Sequence, residues 1–175
     1  MTAVEVYDLV TKGGGNDFAR IVEVCEALGP YCLIGGLAVN HYVEPVYTVD
    51  ADLVLVSGQW SRLPESLEAA GFRTESFEHS LNAQAPRSDL RIQFTTDPRY
   101  QDFLPRAEHG IVLGVETMVA SLRDVTQGKI WAWSDPKRRF SKRKKDELDL
   151  VRLAEAHPEL VKSFPPPLAA VLRQP

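Results

Sequence analysis

The stretch that decides the fold runs Tyr31-Cys32-Leu33-Ile34-Gly35-Gly36, continues through twelve residues, and ends in Val49-Asp50-Ala51-Asp52-Leu53-Val54-Leu55-Val56. The first four residues predict a short apolar strand, and the diglycine ends it. Residues Leu37 to Tyr42 suit a returning helix. Val49 to Val56 is the strongest strand signal in the chain, β-branched residues and leucines interrupted by two aspartates. In a strand, residues i and i+2 share a face, so Asp50 and Asp52 project together while Val49, Ala51 and Leu53 face the core. Two carboxylates so close raise each other's pKa unless a cation lies between them. Hard ions such as Mg²⁺ or Mn²⁺ bind through one or two carboxylates together with substrate phosphates. Gly35-Gly36, between strand and helix, lets backbone N–H groups approach such a phosphate.

Outward from this segment, strands and helices alternate. Residues 2–11 predict a helix with Val4, Val6, Leu9 and Val10 on one face, broken by Gly13-Gly14-Gly15. Asn16 is the expected cap of a second helix reaching Leu28, with Phe18, Ile21, Val22 and Cys25 at helical spacing. Arg62 to Ala70 predicts a helix closing at Gly71. Phe72–Phe77 and Leu90–Thr95 alternate as half-buried strands, and Ile111–Val115 is a further strand. From Glu116 the pattern is helical, over 116–133 and 142–156 with Pro136 between them; a last stretch around Pro158 to Leu172 is interrupted by Pro165-Pro166-Pro167, and the end is expected to be loosely held. The fold class is α+β: a mixed β-sheet flanked by helices, followed by a helical C-terminal part. It is taken as a single domain over 1–175, with the core at 14–115 and the helical part at 116–175.

The 175 residues suffice for one core; 44% are hydrophobic and 25% charged, which argues against disorder as the main state. No apolar run could span a membrane and no signal peptide is evident, so a cytoplasmic protein without membrane contact is expected. Cys25 and Cys32 fit small buried thiols rather than a disulfide, and His41, His79, His109 and His157 lack metal-ligand spacing. The net charge of −4 conceals an asymmetry: seven of the nine residues from Lys137 to Lys145 are basic and none is acidic. With that block set aside, 13 basic residues face 24 acidic ones, a remainder of −11. Such a chain is not a general nucleic-acid binder, but the block could hold a triphosphate or an RNA backbone locally. Tyr47 and Thr48, just before the Asp-x-Asp strand, could face a substrate. The tryptophans are taken as packing residues.

The combination Ile34-Gly35-Gly36 and Asp50-Ala51-Asp52-Leu53 resembles the signature of the DNA polymerase β-like nucleotidyltransferase superfamily: an apolar residue, two small residues, a spacer, then Asp-apolar-Asp/Glu-apolar. Further on, a helical lysine in Gln127-Gly128-Lys129-Ile130 and the Lys-Asp-x-x-Asp run Lys145-Asp146-Glu147-Leu148-Asp149 look like later motifs of the minimal, abortive-infection (AbiEii-like) toxin branch. The resemblance spans about residues 17 to 155. It implies the nucleotidyltransferase-like fold, with Gly35 and Gly36 cradling an NTP's phosphates and Asp50 and Asp52 holding Mg²⁺ (or Mn²⁺). By the same resemblance Lys129 would contact phosphate and act with Asp50 and Asp52 in catalysis. Lys145 would contribute to nucleotide binding, and Asp146 would organise the surrounding network. The implied reaction is in-line attack of an acceptor hydroxyl on the α-phosphate with pyrophosphate leaving. The acceptor would be RNA, tRNA or a protein, in a toxin–antitoxin or phage-defence setting with an antitoxin as a further partner. A small-molecule modifier of the aminoglycoside type is a third reading.

The sequence departs from that superfamily at one point. A third carboxylate usually comes from a later strand, and the matching stretch Leu90-Arg91-Ile92-Gln93-Phe94 puts Gln93 there. An amide accepts hydrogen bonds but neither neutralises a metal nor takes a proton. Asp89 shares the strand face but lies about 13 Å away along it. Either Asp97 or Asp102 swings in, the register shifts, or the chain is a catalytically reduced module that binds nucleotide or a partner protein without turnover.

Overall fold

In the computed structural model, which describes residues 1–173, the decisive stretch forms β1 (Tyr31–Ile34), α3 (Gly35–Tyr42) and β2 (Asp50–Leu55). α1 (Ala3–Val10) and α2 (Gly14–Leu28) precede it. α4 (Leu63–Ala69), β3 (Arg73–Ser76), β4 (Ser80–Gln84) and β5 (Arg91–Thr95) follow, then β6 (Glu108–Val112) and β7 (Val115–Val119). α5 (Leu122–Ser134), α6 (Phe140–Ala156) and α7 (Pro166–Val171) close the chain. The seven strands make one mixed sheet in the order β3-β4-β5-β2-β1-β7-β6. β2 pairs antiparallel with β1 and parallel with β5, and β1 pairs parallel with β7. This is the α+β arrangement expected from the sequence.

The alternation in β2 works as the pattern requires. Ala51, Leu53 and Leu55 are fully buried, while Asp50 and Asp52 stand on the other face. In β5, Ile92 and Phe94 go to the core and Arg91 and Gln93 stay exposed. The core gathers these residues with Phe18, Ile21, Val22 and Cys25 of α2, area whose removal from water supplies the main driving force. Cys25 and Cys32 are free, buried thiols.

Several local expectations change. α1 forms, with a Thr2/Glu5 capping box, yet Val4, Val6, Leu9 and Val10 remain exposed and Tyr7 is its buried residue. At 100° per residue those four positions spread over more than half the helix circumference and form no single stripe. α2 starts at Gly14, capped by left-handed Gly13 rather than by Asn16. Thr11 Oγ accepts from Gly14 N–H at 3.0 Å and Asp8 from Gly15 N–H at 3.0 Å, so the orphan donors are already satisfied.

β4 was not expected: Ser80-Leu81-Asn82-Ala83-Gln84 offers only Leu81 and Ala83 as inward residues. The stretch Ile111–Val115 is not one strand. It turns at Leu113-Gly114, both with positive φ, and pairs β6 with β7 as a hairpin. Helical structure therefore begins at Leu122 rather than Glu116, because Val115–Val119 complete the sheet. The triple proline starts α7 instead of disrupting the end. Phe164 and Leu168 are buried against Ile130, Leu150 and Ala154, so the tail is docked, as far as it is described. Gln174 and Pro175, the last residues of the tail expected to be loose, lie outside the described residues.

Candidate active site

β1 delivers the chain to Gly35 at φ +69°, a left-handed conformation natural to glycine. Gly35 is required on a second ground: a Cβ there would overlap the Asp52 carboxylate. At Gly36 a Cβ would only touch Thr48, at an ordinary 3.6 Å. α3 starts here with no side-chain cap, so its first N–H groups keep no side-chain acceptor. Ile34 and Gly35 border a cleft of about 850 Å³ whose floor is the polar face of β2, β5 and β4 and whose opposite wall is α5 and the start of α6.

The two aspartates meet different environments. Asp50 is surrounded by cations: Arg91 Nε at 2.8 Å, Lys142 Nζ at 3.6 Å and Lys145 Nζ at 3.8 Å. Lys145 also reaches Thr48 Oγ at 3.5 Å. Asp52 carries neither a hydrogen bond nor an ion pair on its carboxylate among the described residues. Burial pushes its pKa up, and the negative charge of Asp50 adds to this. Lys129 opposes the shift most strongly, with Arg138 and Lys145 behind it. An unpartnered, desolvated carboxylate beside a glycine turn, with a second carboxylate two residues away on the same face, fits a divalent cation arriving with phosphates.

The parallel register of β2 and β5 sets Asp52 directly beside Gln93 and Asp50 beside Arg91. Gln93 thus occupies the neighbouring position on β5. None of the other acids replaces it. Asp89 is bound to Lys12 at 3.2 Å. Asp97 is held below the usual carboxylate range by hydrogen bonds from Arg99. Neither these two nor Asp102 lines the cleft. Among the described residues no group of three or more His, Cys, Asp or Glu side chains is placed to hold a metal. The row continues through Asn82 on β4 to Glu75 on β3, three strand spacings or about 14 Å from Asp52.

Lys129 is buried and clasped by Asp146 at 3.0 Å and Asp149 at 2.8 Å. Desolvation pulls its pKa down, but the two aspartates more than offset this and hold it above the ordinary lysine value. Arg138 secures Asp146 from the other side at 2.6 Å, and Arg152 secures Asp149 at 2.8 Å. The helical lysine and both aspartates of Lys-Asp-x-x-Asp therefore meet in one buried network joining α5 to α6 at the cleft's edge. Of the basic block, Lys142, Lys145, Arg138, Lys144 and Arg143 all have carboxylate or carbonyl partners. Tyr47 is exposed and packs near Tyr7; Thr48 is buried and accepts from the Asp50 N–H at 3.3 Å.

Sequence reasoning missed Arg91, Asn82 and Tyr100, which line the cleft together with Arg138 of the basic block. Tyr100 is fixed edge-on between Phe103 and Trp131, with ring centroids 5.1 and 5.3 Å away. Burial pushes its phenol up to about 12. No sequence signal marks Arg91, Asn82 or Tyr100, since each is brought in by strand register or tertiary packing.

No protein-family model matches the chain, and no curated protein matches it in sequence. Solved structures do match in shape. The antibiotic-resistance factor ANT(2'')-Ia superposes with a TM-score of 0.62 at 15% identity, over 91% of this chain and 90% of that one. The lincosamide antibiotic adenylyltransferase LnuA, solved with lincomycin, gives 0.56 at 11% identity over 81% of this chain and 96% of that one. A nucleotidyltransferase-like protein from Paracoccidioides brasiliensis gives 0.54 at 16% identity over 93% and 94%. The chain has the nucleotidyltransferase-like fold.

Proposed function

We propose that the chain is a metal-dependent nucleotidyltransferase, moving a nucleoside monophosphate from an NTP to a hydroxyl on an acceptor. The observation that carries this reading is the contact of Gly35 with Asp52. It sets an uncapped helix start against an unpartnered carboxylate, with Asp50 on the same face, bordering a cleft. Asp50 and Asp52 would hold Mg²⁺ or Mn²⁺, whose charge would stabilise the reacting phosphates. The α3 N-terminus would receive phosphate oxygens, Lys129 and Asp146 would fix α5 and α6 beside them, and Lys145 would add positive charge. The acceptor oxygen bonds to the α-phosphorus as the bond to the leaving pyrophosphate breaks, and the hydroxyl proton passes to solvent. Gln93 can orient a neighbour through its amide but cannot accept the acceptor's proton.

A small acceptor is favoured over RNA, tRNA or protein. The cleft is of a size typical for small ligands, and three of the seven cations in the basic block, Arg138, Arg143 and Lys144, are closely engaged within the chain. Two of the structural neighbours carry antibiotics in their descriptions. The Lys129–Asp146–Asp149 network is what supports the toxin-like branch, with its RNA acceptor and antitoxin partner. One observation favours a second reading, the catalytically reduced module: Gln93 in register with Asp52.

The test incubates the protein with each α-labelled NTP, Mg²⁺ or Mn²⁺, and separate panels of aminoglycosides, lincosamides and total RNA. Label is expected on a small molecule and should vanish in Asp50→Ala/Asp52→Ala. Transfer surviving that double substitution would falsify the assigned site. Label on RNA would return the toxin-like branch, and nucleotide binding without transfer would establish the reduced module.

A further inference from the structure

Three cations converge on Asp50 while none pairs with Asp52 two residues away, and the two carboxylates share one face of β2. We infer that Arg91, Lys142 and Lys145 are polyphosphate-binding residues that occupy Asp50 in the free protein, so that metal and nucleotide enter together as a complex. This rests on the metal-site reading above and adds residues and a binding order to it.

The sign of the charge decides the order. Asp50, Asp52 and the three cations sum to one net positive charge, so a divalent ion alone would meet two lysines and an arginine competing for the same oxygens. A triphosphate carrying that ion is net negative, and it offers the displaced ammonium and guanidinium groups new anionic partners. The lysines can change partners cheaply. Their contacts at 3.6 and 3.8 Å are loose and both side chains are 41% exposed, so each pair is weak. Arg91 is anchored by strand register beside Asp50, and its side chain is 59% exposed to the cleft. By contrast Lys129 and Arg138, further along the wall, are matched by buried Asp146 and Asp149 and have no such freedom.

Equilibrium dialysis of the full chain against radioactive Mn²⁺, with and without inorganic tripolyphosphate, tests this without knowing which base is used. In wild type, tripolyphosphate should raise protein-bound metal about tenfold or more. In Lys142→Met/Lys145→Met, Mn²⁺ alone should bind about tenfold tighter and tripolyphosphate should lose its effect, the combined weight of two half-exposed ion pairs. Arg91→Met is the second variant, expected to move both quantities the same way, should the double variant fold poorly. Wild type holding Mn²⁺ equally well with and without tripolyphosphate, and variants unchanged from it, would overturn the inference while leaving the Asp50/Asp52 site standing. No metal retained under any condition, with Asp50→Ala/Asp52→Ala indistinguishable from wild type, would overturn both.

Discussion

Lys129→Met separates two roles for a residue that the sequence marks as a phosphate ligand. The lysine side chain is 9% exposed and its ammonium group bridges Asp146 and Asp149, whose side chains are 1% and 4% exposed. Methionine fills the same volume but leaves two buried carboxylates short of a shared cation. Breaking a buried pair from one side costs roughly 3–5 kcal/mol. Arg138 still holds Asp146 and Arg152 still holds Asp149, which points to the lower end, about 3 kcal/mol. For a chain of this size that lowers Tm by about 6–12 °C. The assay pairs thermal unfolding by circular dichroism with nucleotide binding by calorimetry, the latter well below the new Tm. The expected result is the Tm loss with nucleotide affinity reduced by less than about fivefold, the reach of one charge acting at a distance. An unchanged Tm with nucleotide binding abolished would show that Lys129 contacts phosphate and that its carboxylate partners are incidental.

Three further outcomes follow from the same geometry. Asp52→Asn should stabilise the free protein at neutral pH, because the folded state ionises a desolvated carboxylate whose pKa is raised above its unfolded value. As pH falls through that raised pKa the wild-type carboxylate is neutralised, so the advantage of the variant should shrink on acidification in urea titrations; a pH-independent difference would contradict the burial argument. Gln93→Asp sets a third carboxylate beside Asp52, so it should raise Mn²⁺ affinity in dialysis while lowering Tm by a few degrees, about 1 kcal/mol of like-charge repulsion; unaltered affinity would show that β5 does not reach the metal. Gly35→Ala should cost about 1–3 kcal/mol from its positive φ and its overlap with Asp52, whereas Gly36→Ala should unfold near wild type and lose only nucleotide affinity, both read by denaturant titration with calorimetry.

What the sequence discloses is what depends on short-range geometry. Asp50 and Asp52 share a face because strands repeat every two residues, and Gly35 is recognisable because only glycine suits that turn. The hairpin at Leu113-Gly114 escapes notice because a leucine takes the left-handed position, at φ 51°, where Asn or Gly would announce it. β4 escapes because its polar positions, Ser80, Asn82 and Gln84, outnumber its apolar ones. The burial of Lys129 is invisible because its partners lie 17 and 20 residues on, in another helix. Arg91 acquires its meaning only from the parallel pairing of β2 with β5, a contact across some forty residues.

Gln93 and the cations at Asp50 belong to one electrostatic arrangement, and it has a thermal consequence. Three close carboxylates would destabilise a metal-free site by mutual repulsion, and a divalent ion alone would relieve it. Here Asp50 is neutralised within the chain, Asp52 alone bears the desolvation penalty, and the neighbouring position on β5 is uncharged. Mn²⁺ by itself therefore has little repulsion to relieve and must displace cations to bind. Metal alone, at the concentration used with nucleotide, should move Tm by less than about 1 °C because it binds weakly, whereas metal with an accepted NTP at a hundredfold excess over its Kd should add about 2.7 kcal/mol, or 5–10 °C. Differential scanning fluorimetry of wild type and Gln93→Asp distinguishes the cases, since the added acid should restore a response to metal alone. A wild-type Tm that climbs several degrees with Mn²⁺ and no further with any nucleotide would mean that the cations around Asp50 do not guard it.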